Sequence, residues 1–227
     1  MQYFSDFEYV LRMQPIKRWL REKITLHDHE SRSEEKANAL THILGAFTAL
    51  YYLIWTVVKI THAGMIIHAS ALIVLYGCSA TYHLLEQSDT KRLFRLLDHS
   101  TIYLLIAATY TPVLMKVQDS RTQLLITIWA IAVAGILFSV LFWGKFKILH
   151  VATYLAMGWF IVPIWSKVAP FLPPALIGWI IGAGVTYTAG VVLYALKRIA
   201  YAHAVWHLFC MAAGLLFSFG FALHLVS

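Results

Sequence analysis

Seven runs of apolar residues dominate the chain, at roughly 39–59, 65–86, 96–115, 122–143, 148–166, 174–196 and 203–225, separated by short polar connections. Each is close to the ~20 residues an α-helix needs to cross the hydrocarbon of a bilayer. Inside lipid every backbone N–H and C=O must find its partner within the segment, so runs of this length are read as helices. The pattern predicts an all-α integral membrane protein, a seven-transmembrane helix bundle over residues 38–227. Residues 1–37 are polar and basic. Ile16, Trp19, Leu20 and Ile24 recur there at helical spacing, with Lys17, Arg18, Arg21 and Lys23 interleaved and Pro15 at a helix-starting position. Such a cytoplasmic segment fits either a short helix lying on an anionic leaflet or a loosely ordered tail. The first 30 residues hold no apolar stretch of signal-peptide type, so targeting is expected to rest on the first spanning helix.

Composition agrees with a membrane protein: 60% of residues are apolar and 13% charged, against about 25% charged in an average soluble domain. The basic residues orient the bundle. Arg12, Lys17, Arg18, Arg21, Lys23, Arg32, Lys36, Lys91, Arg92, Arg95, Lys145, Lys147, Lys197 and Arg198 make fourteen on one side, and Lys59, Lys116, Arg121 and Lys167 make four on the other. By the positive-inside rule the N-terminus is inside and the C-terminus outside. The net charge of +7 is then topogenic, and no nucleic-acid partner is expected. Cys78 and Cys210 both lie inside apolar runs, which gives no support to a structural disulfide or an oxidising compartment.

Orientation gives the polar residues a depth. Ser79 and His83 fall in the last two turns of the second run, Asp98 and His99 open the third, and His203 and His207 open the seventh. Glu34, Glu35, Asn38 and His42 begin the first, so all of these converge in the cytoplasmic leaflet. His203 and His207 share a helix face at a spacing that can chelate one transition-metal ion, and Ser79 and His83 repeat the spacing. Ionisable groups inside spans are costly and face the bundle interior, where function is the default reading. Three imidazoles and a carboxylate suit zinc. His83, His203 and His207 would be ligands, and a water made acidic by the metal would take the fourth position. Asp98 would act as general base or orient that water or a ligand, and Ser79 would steady the water or a substrate carbonyl. The plainer alternative is a set of interhelical hydrogen bonds without metal, each worth about 1 kcal/mol. Asn38 and His42 share a face and fit support of the ligands or, for Asn38, a helix N-cap. His99 is expected to face away from Asp98, and Cys210 to pack as a small buried residue. Pro112 predicts a kink, and the G-x-x-x-G spacing of Gly178 and Gly182 predicts close helix packing.

These motifs resemble a known family. Cys78-Ser79-Ala80-Thr81-Tyr82-His83, the run from Leu97-Asp98-His99 to Thr109-Tyr110-Thr111-Pro112, and His203-x-x-x-His207-Leu208-Phe209 are similar to the bacterial hemolysin III proteins. Those stand with the progestin and adiponectin-Q receptors and, more distantly, the alkaline ceramidases. The resemblance covers about residues 34–225, and the N-terminal tail carries none of it. It implies zinc on His83, His203 and His207, with Ser79 and Asp98 around the metal's water. It also implies a role for Glu35, Asn38 and His42, with Glu34 competing for the glutamate's place, and residence in the bacterial inner membrane. Ala108 stands where many relatives carry glycine.

Residues and resemblance together lead to the expectation of a metal-dependent hydrolase of a lipid amide or ester, with membrane lipid as substrate or ligand and a role in membrane lipid homeostasis. The alternative is a non-enzymatic lipid sensor in which zinc staples the second, third and seventh helices. A pore is disfavoured, because no polar stripe continues across the outer leaflet.

Overall fold

A computed structural model describes residues 15–26, 30–195 and 200–225. Among the described residues every regular element is helical: α1 (Pro15–Lys23), α2 (Arg32–Trp55, continued by a π-helical turn Thr56–Ile60), α3 (Ala63–Leu84), α4 (Asp89–Leu114), α5 (Arg121–Leu141), α6 (Lys147–Gly158), a short α7 (Trp165–Val168), α8 (Pro174–Ala195) and α9 (Ala202–His224). Five helices, α2, α3, α5, α8 and α9, are long and apolar enough to cross a membrane, or six if the bent pair containing α6 and α7 is one span. At 26 residues α4 is also long. It carries Asp89, Lys91, Arg92, Arg95 and Asp98 in its first half, which lowers its hydropathy.

The fifth apolar run, expected to span as 148–166, is broken. Helix α6 ends at Gly158, a 3-10 turn covers Trp159–Ile161, and the segments Ile148–Ile161 and Trp165–Phe171 meet at 42°. Pro163 supplies the reason, since proline has no N–H to donate and its ring collides with the carbonyl one turn back.

Helix α2 shows which solvent the bundle is built for. Asn38, His42, Gly45, Ala49, Tyr52 and Thr56 recur every three or four residues and are buried, whereas Leu40, Leu44, Phe47, Tyr51, Ile54 and Val58 on the other face are exposed. Polar groups point inward and large apolar ones outward, the arrangement that lipid stabilises and water does not. Small residues set the helix spacing at a few points. A Cβ at Gly45 would stand 3.0 Å from the Tyr76 ring, one at Gly135 2.3 Å from Tyr103, and one at Gly190 2.6 Å from Phe209. Gly178 and Gly182 meet nothing within 4 Å. The close approach on α8 therefore falls at Gly190, and the G-x-x-x-G expectation is corrected. Pro112 lies inside α4, against Gly64 of α3.

The N-terminal segment docks on this frame. Leu20 and Ile24 are buried, Arg21 makes a two-pronged ion pair with Asp89 at 2.7 and 2.8 Å, Arg92 donates to the Ile24 carbonyl, and Arg95 donates to Thr25 at 3.3 Å. These contacts join residues 20–25 to the beginning of α4. The Arg21 guanidinium hydrogen-bonded to Asp89 holds that carboxyl below the usual carboxylate range. Residues 1–14 lie outside the described residues.

Candidate metal centre

Helix α3 carries His83 in its last turn and Ser79 one turn earlier, and α9 carries His203 and His207 in its first two turns. The packing of the bundle brings the three imidazoles together. One nitrogen of each lies within 4.8 Å of the others, with His83 and His207 buried and His203 half-buried. Ring centroids are 4.7 Å apart for His83 and His203, 5.3 Å for His83 and His207, and 4.6 Å for His203 and His207.

The contacts of the Nδ1 nitrogens decide what the group can do. His83 Nδ1 lies 2.6 Å from Glu35 Oε2, His203 Nδ1 2.8 Å from Glu30 Oε1, and His207 Nδ1 3.1 Å from the Asn38 carbonyl. Carboxylates and carbonyls only accept, so each Nδ1 is the protonated, donating nitrogen. In a neutral ring Nε2 then keeps its lone pair. Acceptors of this kind behind ligand imidazoles fix tautomer and ring orientation and raise ligand basicity.

The start of α2 arranges these acceptors. Ser31 is its N-cap: the Glu34 N–H donates to Ser31 Oγ at 3.3 Å, and the Ser31 N–H donates to Glu34 Oε2 at 2.8 Å. This reciprocal box occupies Glu34 and turns Glu35 inward, where it accepts from His83 with one oxygen and from Lys91 Nζ with the other at 2.9 Å. The two candidate glutamates thus have different partners. Asn38 stands in the second turn and is not the cap; its Nδ2 donates to Glu30 Oε2 at 2.8 Å.

His42 stacks on His207 with ring centroids 3.5 Å apart. Asn38 Oδ1, both His42 nitrogens, Ser79 Oγ and His83 Nε2 are buried without a hydrogen-bond partner. Unpaired buried polar atoms are few in native proteins and call for an explanation such as an ion or water. Asn38 lies beside His83, His42 stacks on His207 and Ser79 precedes His83 by one turn, an arrangement that fits a metal ion with bound water. Asp98 is buried on α4, with its carboxylate 3.9 Å from His99 Nδ1. It lies outside the group of ligand atoms but interacts electrostatically with Cys210, one turn beyond His207. His99 stays near Asp98 but outside the ligand group, with its Nδ1 3.0 Å from the Arg95 carbonyl and its ring against Trp143. Cys210 is buried and free, as is the half-buried Cys78.

Two residues at the centre escaped the sequence reading. Lys91, counted there only as topogenic charge, is 3% exposed and donates to Glu35 and to the Leu85 carbonyl. Glu30 lies just before α2 and outside every apolar run. The S-x-x-E box at Ser31 was the available signal, since it fixes the helix start and leaves Glu30 just ahead of it. A second group of ligand atoms, from Glu30, Glu35 and His83, also lies within 4.8 Å. His83 Nδ1 already donates to Glu35 at 2.6 Å and stands 3.9 Å from Glu30, so these acids are read as partners of the histidines.

Fold and site define a multi-pass helical membrane protein whose helix ends gather a possible metal-binding group. The chain belongs to the haemolysin-III related family, whose model matches residues 30–218. It is 32% identical over 192 residues to a hemolysin-3 homolog of Bacillus subtilis, covering 78% of this chain and 88% of that protein. It is 30% identical over 195 residues to hemolysin-3 of Bacillus cereus, covering 82% and 89%. A human protein, monocyte to macrophage differentiation factor, is 27% identical over 158 residues, covering 65% and 64%, and links the chain to the progestin and adiponectin-Q receptor superfamily.

Proposed function

We propose that the chain is a zinc-dependent hydrolase of a lipid amide or ester, acting in the bacterial inner membrane in the control of lipid composition. In this reading residues 38–227 form a seven-span domain with the N-terminus in the cytoplasm and the C-terminus outside, and residues 1–37 form its basic cytoplasmic segment. The fourteen-to-four division of basic residues supports that orientation, with α4 and the bent α6–α7 unit serving as the third and fifth spans.

One observation carries the metal reading: His83, His203 and His207 each give the Nδ1 proton to an acceptor and converge within 4.8 Å. Bound there, zinc supplies acidification of a water and polarisation of a carbonyl. The chain does the rest. His83, His203 and His207 offer Nε2, and Glu35, Glu30 and the Asn38 carbonyl hold the rings. Asp98 accepts the proton of the attacking water and returns it to the leaving nitrogen or oxygen. Ser79 Oγ, buried and unpaired, orients the water or the lipid carbonyl. A site at the inner ends of α3 and α9 lies at headgroup and carbonyl depth, within reach of a lipid and poorly accessible to soluble substrates.

The position of Asp98 outside the ligand group favours a second reading, a lipid sensor in which the ion staples α3 to α9. Zinc analysis of the purified protein and lipid mass spectrometry of membranes holding wild type or Asp98→Ala separate the two. The hydrolase loses product in Asp98→Ala while keeping zinc and fold. The staple tolerates Asp98→Ala and unfolds on His207→Ala. Wild-type protein without stoichiometric metal defeats both.

A further inference from the structure

Two of the three acceptors behind the histidines, Glu35 and the Asn38 carbonyl, belong to α2. The third does not. Glu30 precedes the N-cap Ser31 and reaches His203, 173 positions away in the chain, at 2.8 Å. Its other oxygen accepts from Asn38 Nδ2 at 2.8 Å and stands 3.9 Å from His83 Nδ1. Two donors from different helices therefore fix the plane of this carboxylate.

His203 has the greatest need of such support. Its side chain is 16% exposed, against 0% for His83, so packing restrains it less. It stands in the first turn of α9, two residues after the N-cap Tyr201, whose left-handed φ of 58° turns the chain into the helix. A helix N-terminus carries the positive end of the macrodipole, which disfavours a cation beside His203. A carboxylate at that point offsets the field. His83, at the C-terminal end of α3, already has a favourable dipole.

We propose that Glu30 is the positioning residue for His203, so that a carboxylate ahead of the spanning helices sets how tightly the centre holds its ion. This rests on the metal reading given above. Loss of such a partner behind a ligand imidazole typically lowers metal affinity 10–100-fold.

The test uses the purified full-length protein in detergent. Zinc affinity is measured by chelator competition, and ligand geometry by the visible spectrum of the cobalt(II)-loaded form. Glu30→Ala weakens zinc 10–100-fold and alters the cobalt spectrum, and Glu30→Gln, which keeps an acceptor oxygen, recovers a large part of both. In a His203→Ala background Glu30→Ala produces no further loss, which a general folding role for Glu30 would not predict. Glu22→Ala, removing an exposed carboxylate paired with Arg18, leaves affinity unchanged. If wild type binds zinc and Glu30→Ala binds it equally well, or if the losses in Glu30→Ala and His203→Ala simply add, this inference fails while the metal centre stands. If wild type binds none, the metal centre fails and takes the inference with it.

Discussion

His68 and His83 lie on the same helix about four turns apart, and both are buried, yet their surroundings differ in kind. His68 Nδ1 is 3.1 Å from Thr109 Oγ1, whose own proton goes to the Leu105 carbonyl, and His68 Nε2 is 3.4 Å from Ser218 Oγ. Tyr52 and Phe221 close around the ring edge-on. Both nitrogens are served by neutral hydroxyls, and no lone pair is left over. At the other end of α3, His83 gives one proton to a carboxylate and keeps a buried Nε2 that no protein group meets. Burial alone therefore says little about a membrane histidine. The useful distinction is whether its second nitrogen has a partner.

The comparison breaks most visibly in metal content. His83→Ala or His207→Ala should abolish stoichiometric zinc in purified protein, whereas His68→Ala should retain it; a folded, metal-free His68→Ala would overturn the division between the two ends of α3. Glu35→Ala should come next. It takes the acceptor from His83 and leaves Lys91, which is 3% exposed, without its carboxylate. The pair is only part-buried and Lys91 keeps the Leu85 carbonyl, so the cost stays below the about 3–5 kcal/mol of a fully buried pair, and a fall in thermal midpoint should accompany weaker zinc binding. An unchanged midpoint would mean that Lys91 finds solvent.

Around His68 the expected effects are smaller. Thr109→Val or Ser218→Ala removes one interhelical hydrogen bond of about 1 kcal/mol, which denaturation in detergent should register without any change in zinc. Acid should have the mildest effect, through Asp89. Its carboxyl is held low by Arg21, so the folded pKa lies below the unfolded one, and the stabilisation is complete above the unfolded value and lost as pH falls through the folded one. Proteolysis of residues 15–26 should accelerate only in that acidic range, and Asp89→Asn should show the faster cleavage already at neutral pH.

Much of this was legible in the sequence, because a four-residue spacing inside an apolar run places two side chains on one helix face whatever the neighbouring helices do. That is why His203 with His207, and Ser79 with His83, were readable. The meeting of His83 on α3 with the pair on α9 was expected from the similar depth of the three residues along their runs, and the imidazoles do converge. What stayed hidden depends on partners far away in the chain. Glu30 has no periodicity to reveal it, and Lys91 looked like a loop charge until Glu35 was placed beside it. The break of the fifth run at Pro163 was present as a residue but masked by the apolar character around it. Gly178 and Gly182 matched a packing motif, yet spacing does not say which face of α8 meets a neighbour, and the contact falls at Gly190.

The order in which the histidines are made has a consequence for biogenesis. Glu30, Glu35 and His83 leave the ribosome well before His203 and His207 of α9. On the metal reading proposed above, an ion held by all three imidazoles would arrive only after α9 has docked against α3, and a chain stalled before α9 would present an acidic, half-built cradle.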